Sequence, residues 1–137
     1  MATDVTPMFQ PLQVKNKTLR NRLVMPPMVQ LRHITSPGGM AWYRERAQGV
    51  ALVIVEATSV NRFGKDLTIQ TLKPLVDAVH EAGALIAIQL FPVSFDFPRT
   101  EPLPSPNDFT LDDIATVIRD YQMATEMCGE AGFDGVE

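Results

Sequence analysis

The chain has 137 residues, 45% hydrophobic and 20% charged, which fits one ordinary globular domain and excludes general disorder. No apolar run approaches the roughly 20 residues that cross a bilayer, and residues 1–7 lack a basic-then-apolar leader, so a cytoplasmic chain without a membrane partner is expected. Charge divides unevenly, with nine Lys/Arg against three acids in residues 1–65 and three against thirteen in residues 66–137. The basic residues form no dense run and have no interleaved aromatics, so nucleic acid is not an expected partner. A single cysteine, Cys128, leaves no internal disulfide and no multi-cysteine metal site.

In chain order, residues 8–20 read as a hairpin with a turn near Asn16-Lys17, and Arg22 to Met25 as a short strand. Met40 to Gln48 reads as a short helix, with Met40, Tyr43 and Ala47 at helical spacing. Ala51 to Val55 is a continuous apolar run, the pattern of a strand covered on both faces. Thr71 to Ala82 carries Leu72, Leu75, Val76 and Val79 on one stripe, and Ala84 to Ile88 repeats the buried-strand pattern. Residues 91–109 contain five prolines and read as a loop. Leu111 to Glu130 is the longest helix, opened by Thr110 and Asp113 as a capping box, with an apolar stripe of Leu111, Ile114, Ile118 and Tyr121 beside Val117, Ala124 and Cys128. Each helix runs into Gly49, Gly83 or Gly132, where a left-handed residue is expected to stop it, and a fourth strand follows Phe133. This β-α alternation demands a parallel sheet, either doubly wound or part of a (β/α)₈ barrel.

No Gly-x-Gly-x-x-Gly, P-loop or His-Glu-x-x-His is present, so candidate chemistry lies at the strand ends. Gln89 follows an apolar run and offers one acceptor and two donors, which suits either a flat heterocycle edge or neighbouring backbone. Glu56 reads as a structural anchor paired with an arginine. Pro26-Pro27 lacks backbone donors and stiffens the exit from the first strand. His33 shows no partner, His80 reads as a solvated helix residue, and Cys128 reads as inert core.

Phe9-Gln10-Pro11-Leu12-Gln13-Val14, then Leu19-Arg20-Asn21-Arg22-Leu23-Val24-Met25-Pro26-Pro27-Met28, resemble the opening of the Old Yellow Enzyme group of NADH:flavin oxidoreductases. Tyr43-Arg44-Glu45-Arg46-Ala47, Val53-Ile54-Val55-Glu56-Ala57-Thr58, Ile88-Gln89-Leu90 and Ala131-Gly132-Phe133-Asp134-Gly135-Val136-Glu137 continue the resemblance in order. It implies an α/β fold: the N-terminal half of a (β/α)₈ barrel, about four strands and three helices, preceded by a hairpin. Residues 1–137 would then be one partial barrel domain. It further implies noncovalent FMN, lined by Pro26, Pro27, Met28, Val29 and Ala57, with Gln89 bonded to the pyrimidine edge. Hydride would pass from NADH or NADPH through FMN to a small molecule with an activated double bond. Val29 stands where the family usually has Thr or Cys, and Leu31 where many members carry tyrosine. A complete barrel takes about 250 residues, so the chain is expected to be a fragment or one piece of a split enzyme, closed by a complementary chain or a second copy. Two alternatives remain open: a non-catalytic half-barrel used in assembly, and an amine dehydrogenase or demethylase of the same family.

Overall fold

The computed structural model describes residues 3–92 and 105–137. After a 3₁₀ turn at Thr6–Phe9, β1 (Leu12–Val14) and β2 (Lys17–Leu19) form the expected hairpin, turning at Lys15-Asn16, one residue earlier than expected. The rest alternates as β3 (Val24–Met25), α1 (Pro37–Ala47), β4 (Leu52–Ser59), α2 (Ile69–Glu81), β5 (Leu85–Phe91), α3 (Leu111–Ala131) and β6 (Gly135–Val136). Residues 93–104 of the proline-rich stretch lie outside the described residues, and its end forms a 3₁₀ turn at Pro106–Asp108 capped by Ser105. Among the described residues no helix is long and apolar enough to cross a membrane.

Strands β3 to β6 pair in parallel and in sequence order. A doubly wound sheet reverses its strand order to place helices on both faces. Here the order never reverses, and α1 packs on α2 and α2 on α3 as one layer. That resolves the ambiguity left by the sequence in favour of the barrel type. Burial follows: along β5, Ile86, Ile88 and Leu90 are buried toward the helices, while Leu85, Ala87, Gln89 and Phe91 occupy a half-open inner face. The hairpin lies across the lower end of that face. Val14 and Leu19 enclose with Leu52, Leu85 and Ala87 a cleft of about 220 Å³.

Helix α1 begins three residues before its expected start. Ser36 accepts from the Gly39 N–H and Pro37 fills the first turn, a start signal hidden by the loop-like Gly38-Gly39. In α2 the stripe Leu72, Leu75, Val76 and Val79 is buried as expected, and Thr68 and Thr71 form a reciprocal cap. The Thr110–Asp113 capping box of α3 is present too. Its stripe is only half buried: Ala124, Cys128 and Ala131 are covered, whereas Leu111, Ile114 and Ile118 are exposed. A 21-residue helix is about 31 Å long and a seven-residue strand about 23 Å, so the first turns of α3 overrun the sheet.

Gly83 and Gly132 are left-handed as expected, at φ 86° and 100°, but Gly49 has no positive φ. Arg20 does the work there. Its guanidinium donates to the carbonyls of Ala47 at 2.5 Å, Gln48 at 2.7 Å and Val50 at 2.9 Å, and reaches Ala82 at the end of α2. A cation on the free carbonyls satisfies them and complements two helix dipoles. Arg20→Ala is expected to cost about 1–2 kcal/mol, discounted because the side chain is partly in water. Urea unfolding followed by circular dichroism measures it.

Candidate functional site

The ladder between β4 and β5 builds the site. Val55 pairs with Ile88 and Thr58 with Leu90, so Glu56 and Ala57 together face the single residue Gln89. Two residues against one is a β-bulge, and it inverts the inside–outside alternation of the strand. Without it, Glu56 would project to the inner face and Ala57 into the helix layer. With it, Glu56 is buried beneath α1 and Ala57 lies on the half-open side, across from Gln89.

All six residues expected to contact a cofactor lie at this C-terminal edge. Pro26, Pro27, Met28 and Val29 leave β3 directly beside β4, with Met28 and Val29 each 47% exposed. Both prolines lack an N–H, and among the described residues the N–H groups of Met28 and Val29 make no intramolecular hydrogen bond. Nor does the Gln89 carboxamide, which is accessible rather than buried, so backbone does not satisfy it here. The edge therefore offers two backbone donors without intramolecular partners, one carboxamide, a small residue at Ala57 and apolar Met28 and Val29. Such a set suits a flat, polar-edged ring system laid over the strand ends.

Several partners differ from expectation. Glu56 is an anchor, but among the described residues it makes no ion pair with arginine. Its Oε2 accepts from the Gln30 N–H at 2.8 Å and from the Tyr43 hydroxyl at 3.2 Å, and the Glu56 N–H donates to the Tyr43 oxygen at 3.2 Å. Burial raises the pKa of Glu56 above the ordinary carboxylate value, against the lowering effect of those donors and of Arg62. Burial likewise pushes the Tyr43 hydroxyl up. His33 is partnered, its Nε2 3.0 Å from Asp66 Oδ2 and its Nδ1 2.9 Å from Thr35, while Arg62 donates twice to Asp66. That cluster ties the segment after β3 to the one after β4. His80 is bound too, to Asp134 at the opposite end of the sheet. Cys128 is inert core, its thiol pushed up to about 12 by burial. Sequence reasoning missed Tyr43 and Gln30, since Tyr43 counted as an apolar stripe residue and the Gln30 contribution is a backbone N–H.

A sequential parallel sheet with one helix layer and a site at its C-terminal edge defines a barrel-type enzyme fold. The chain belongs to the NADH:flavin oxidoreductase / NADH oxidase family, which it matches over residues 7–107. It is 33% identical to the putative 12-oxophytodienoate reductase-like protein 1 of Arabidopsis thaliana, over 90% of this chain and 49% of that protein. It is 31% identical to the NADPH dehydrogenase of Listeria welshimeri serovar 6b, over 95% of this chain and 47% of that protein. The Old Yellow Enzyme from Pichia sp. AKU4542 superposes with a TM-score of 0.76 at 26% identity, covering 95% of this chain and 45% of that one. A morphinone reductase variant solved with tetrahydroNAD gives 0.76 at 25% identity, over 94% of this chain and 48% of that one. The chain thus spans about half the length of the curated relatives it matches, and the half-barrel expectation is borne out.

Proposed function

We propose that residues 1–137 act as one partial barrel domain, the flavin-facing half of an FMN-dependent oxidoreductase that passes hydride from NAD(P)H to an activated alkene. The reading is carried by the β4 bulge, which brings Ala57 to the inner face beside the unpartnered Gln89 carboxamide. Membership of the flavin oxidoreductase family and the 12-oxophytodienoate reductase and NADPH dehydrogenase names of its relatives support it. FMN held there would supply the carrier that accepts hydride from the nicotinamide and releases it to the alkene. The chain's own residues bind and orient. Gln89 would meet the polar ring edge with donor and acceptor, the Met28 and Val29 amides would donate to it, and Ala57 would leave room for the ring to approach. Apolar Met28 and Val29 would exclude water beside it. Among the described residues no strand pairs with the outer edges of β3 and β6, and strands completing the barrel, from this or another chain, would satisfy them.

Gln89→Ala is expected to weaken FMN binding about tenfold, the loss of one to two hydrogen bonds worth roughly 1.5 kcal/mol. Equilibrium dialysis against FMN measures it, and unchanged affinity would remove Gln89 from the site. For the reaction, NADPH oxidation is followed with 2-cyclohexenone present. Consumption of NADPH with formation of cyclohexanone is expected. Turnover of a secondary amine with no reduction of the enone would replace the alkene reading by amine oxidation.

A further inference from the structure

The loop between β3 and α1 has an unusual fastening. Beyond the β3 ladder, the hydrogen bonds holding residues 26–30 among the described residues are the Gln30 N–H to Glu56 Oε2 and the Gln30 Nε2 to Met28 O, at 2.8 and 2.9 Å. Leu31 then turns left-handed at φ 54°, so the chain leaves the platform directly after that tie. Met28 and Val29 are therefore spanned between a fixed strand and a single carboxylate. That carboxylate sits where an apolar side chain would fill the same space without the cost of burying a charge or an acid. Tyr43, 1% exposed, locks it from the other side, its hydroxyl donating to Oε2 and accepting from the Glu56 N–H at the bulge. Glu56 Oε2, the Tyr43 hydroxyl and the Glu56 and Gln30 N–H groups are all partnered within this clamp, which joins α1, the bulge and the platform.

We infer that Glu56, held by Tyr43, is a positioning residue for the cofactor: it fixes Gln30 and so aims the Met28 and Val29 amides at the flavin. This rests on the FMN reading of the site. Glu56 need not touch the ring. What it supplies is an acceptor of fixed position, and a glutamine carbonyl placed there supplies the same.

The test measures FMN dissociation constants by quenching of flavin fluorescence, alongside melting temperatures of the apoproteins, for wild type, Glu56→Ala, Glu56→Gln and Tyr43→Phe. Glu56→Ala is expected to weaken FMN at least tenfold, Glu56→Gln to restore affinity to within threefold of wild type, and Tyr43→Phe to lose about threefold. A purely structural role would lower the melting temperature of Glu56→Ala and leave FMN affinity unchanged, and that result would overturn the inference. So would a glutamine variant as weak as the alanine one. Should Glu56→Ala fail to fold, Tyr43→Phe keeps the ring packing and carries the test, and unaltered affinity in it would equally count against the clamp. Failure of wild type to bind FMN at all would instead overturn the reading of the site, so the two failures are distinguishable.

Discussion

Asp134→Ala is expected to destabilise the fold by about 3 kcal/mol, the largest loss from any single side chain considered. Asp134 stands just before β6, its side chain 8% exposed, and three elements converge on it. Oδ1 accepts from Lys17 of the hairpin at 2.7 Å, and Oδ2 is bonded to the Ile86 N–H at 2.9 Å and lies 2.8 Å from His80 Nε2. Truncation leaves the Ile86 N–H unpaired inside the sheet. Lys17 and His80 are 47% and 38% exposed and can turn to water, which places the loss at the low end of the range for broken buried pairs. Asn at 134 keeps an acceptor for Ile86 and is expected to lose about half as much.

Acid removes part of the difference between wild type and the asparagine variant. Burial pushes the Asp134 pKa up, but Lys17, the Ile86 N–H and His80 outweigh it and hold the carboxyl below its ordinary value of 3.8. A depressed native pKa gives stability that is complete above the ordinary value and lost as pH falls through the native one. The gap between wild type and Asp134→Asn should therefore close as pH drops below the ordinary carboxylate range. Glu56 acts with the opposite sign. Its pKa is raised, so its ionisation costs stability as pH climbs past the unfolded value, and Glu56→Gln should gain on wild type toward neutral pH.

Gly39→Ala is expected to cost about 2–3 kcal/mol, read as a lower urea midpoint with an unchanged slope. A Cβ at Gly39 would run into the His33 carbonyl oxygen and lie 3.0 Å from that of Ile34. Both obstacles are backbone, and Ile34 is 1% exposed, so neither can rotate aside. Helix α1 would have to lift, taking Tyr43 away from Glu56. Gly38 is the control: a Cβ there meets nothing within 4 Å, and Gly38→Ala is expected to gain about 0.4–1 kcal/mol from the smaller entropy of the unfolded chain.

What could be read from the sequence was whatever is local. The runs around Val53 and Ile86, the stripe Leu72, Leu75, Val76 and Val79, and the Thr110–Asp113 cap each depend on residues a few positions apart. The resemblance supplied the barrel and the six edge residues. Composition had no access to register. The bulge exists only as a relation between β4 and β5, and nothing in Glu56-Ala57 announces which of the two turns inward. The same holds for the Arg20 cap, which acts 27 to 62 residues away, and for the Lys17–Asp134 pair, 117 residues apart. Glu56 was recognisable as an anchor, but its partners were not, because one is a hydroxyl on helix α1 and the other a main-chain amide.

The proposed flavin seat is the bulged edge of β4 with Gln89 and the Met28–Val29 amides. Equilibrium titration of the protein with FMN, followed by flavin fluorescence, tests it most directly. Saturable, stoichiometric uptake is expected, leaving a yellow protein that releases its flavin on denaturation. Fluorescence that rises with added FMN as it does in buffer, with no saturable component, would contradict it.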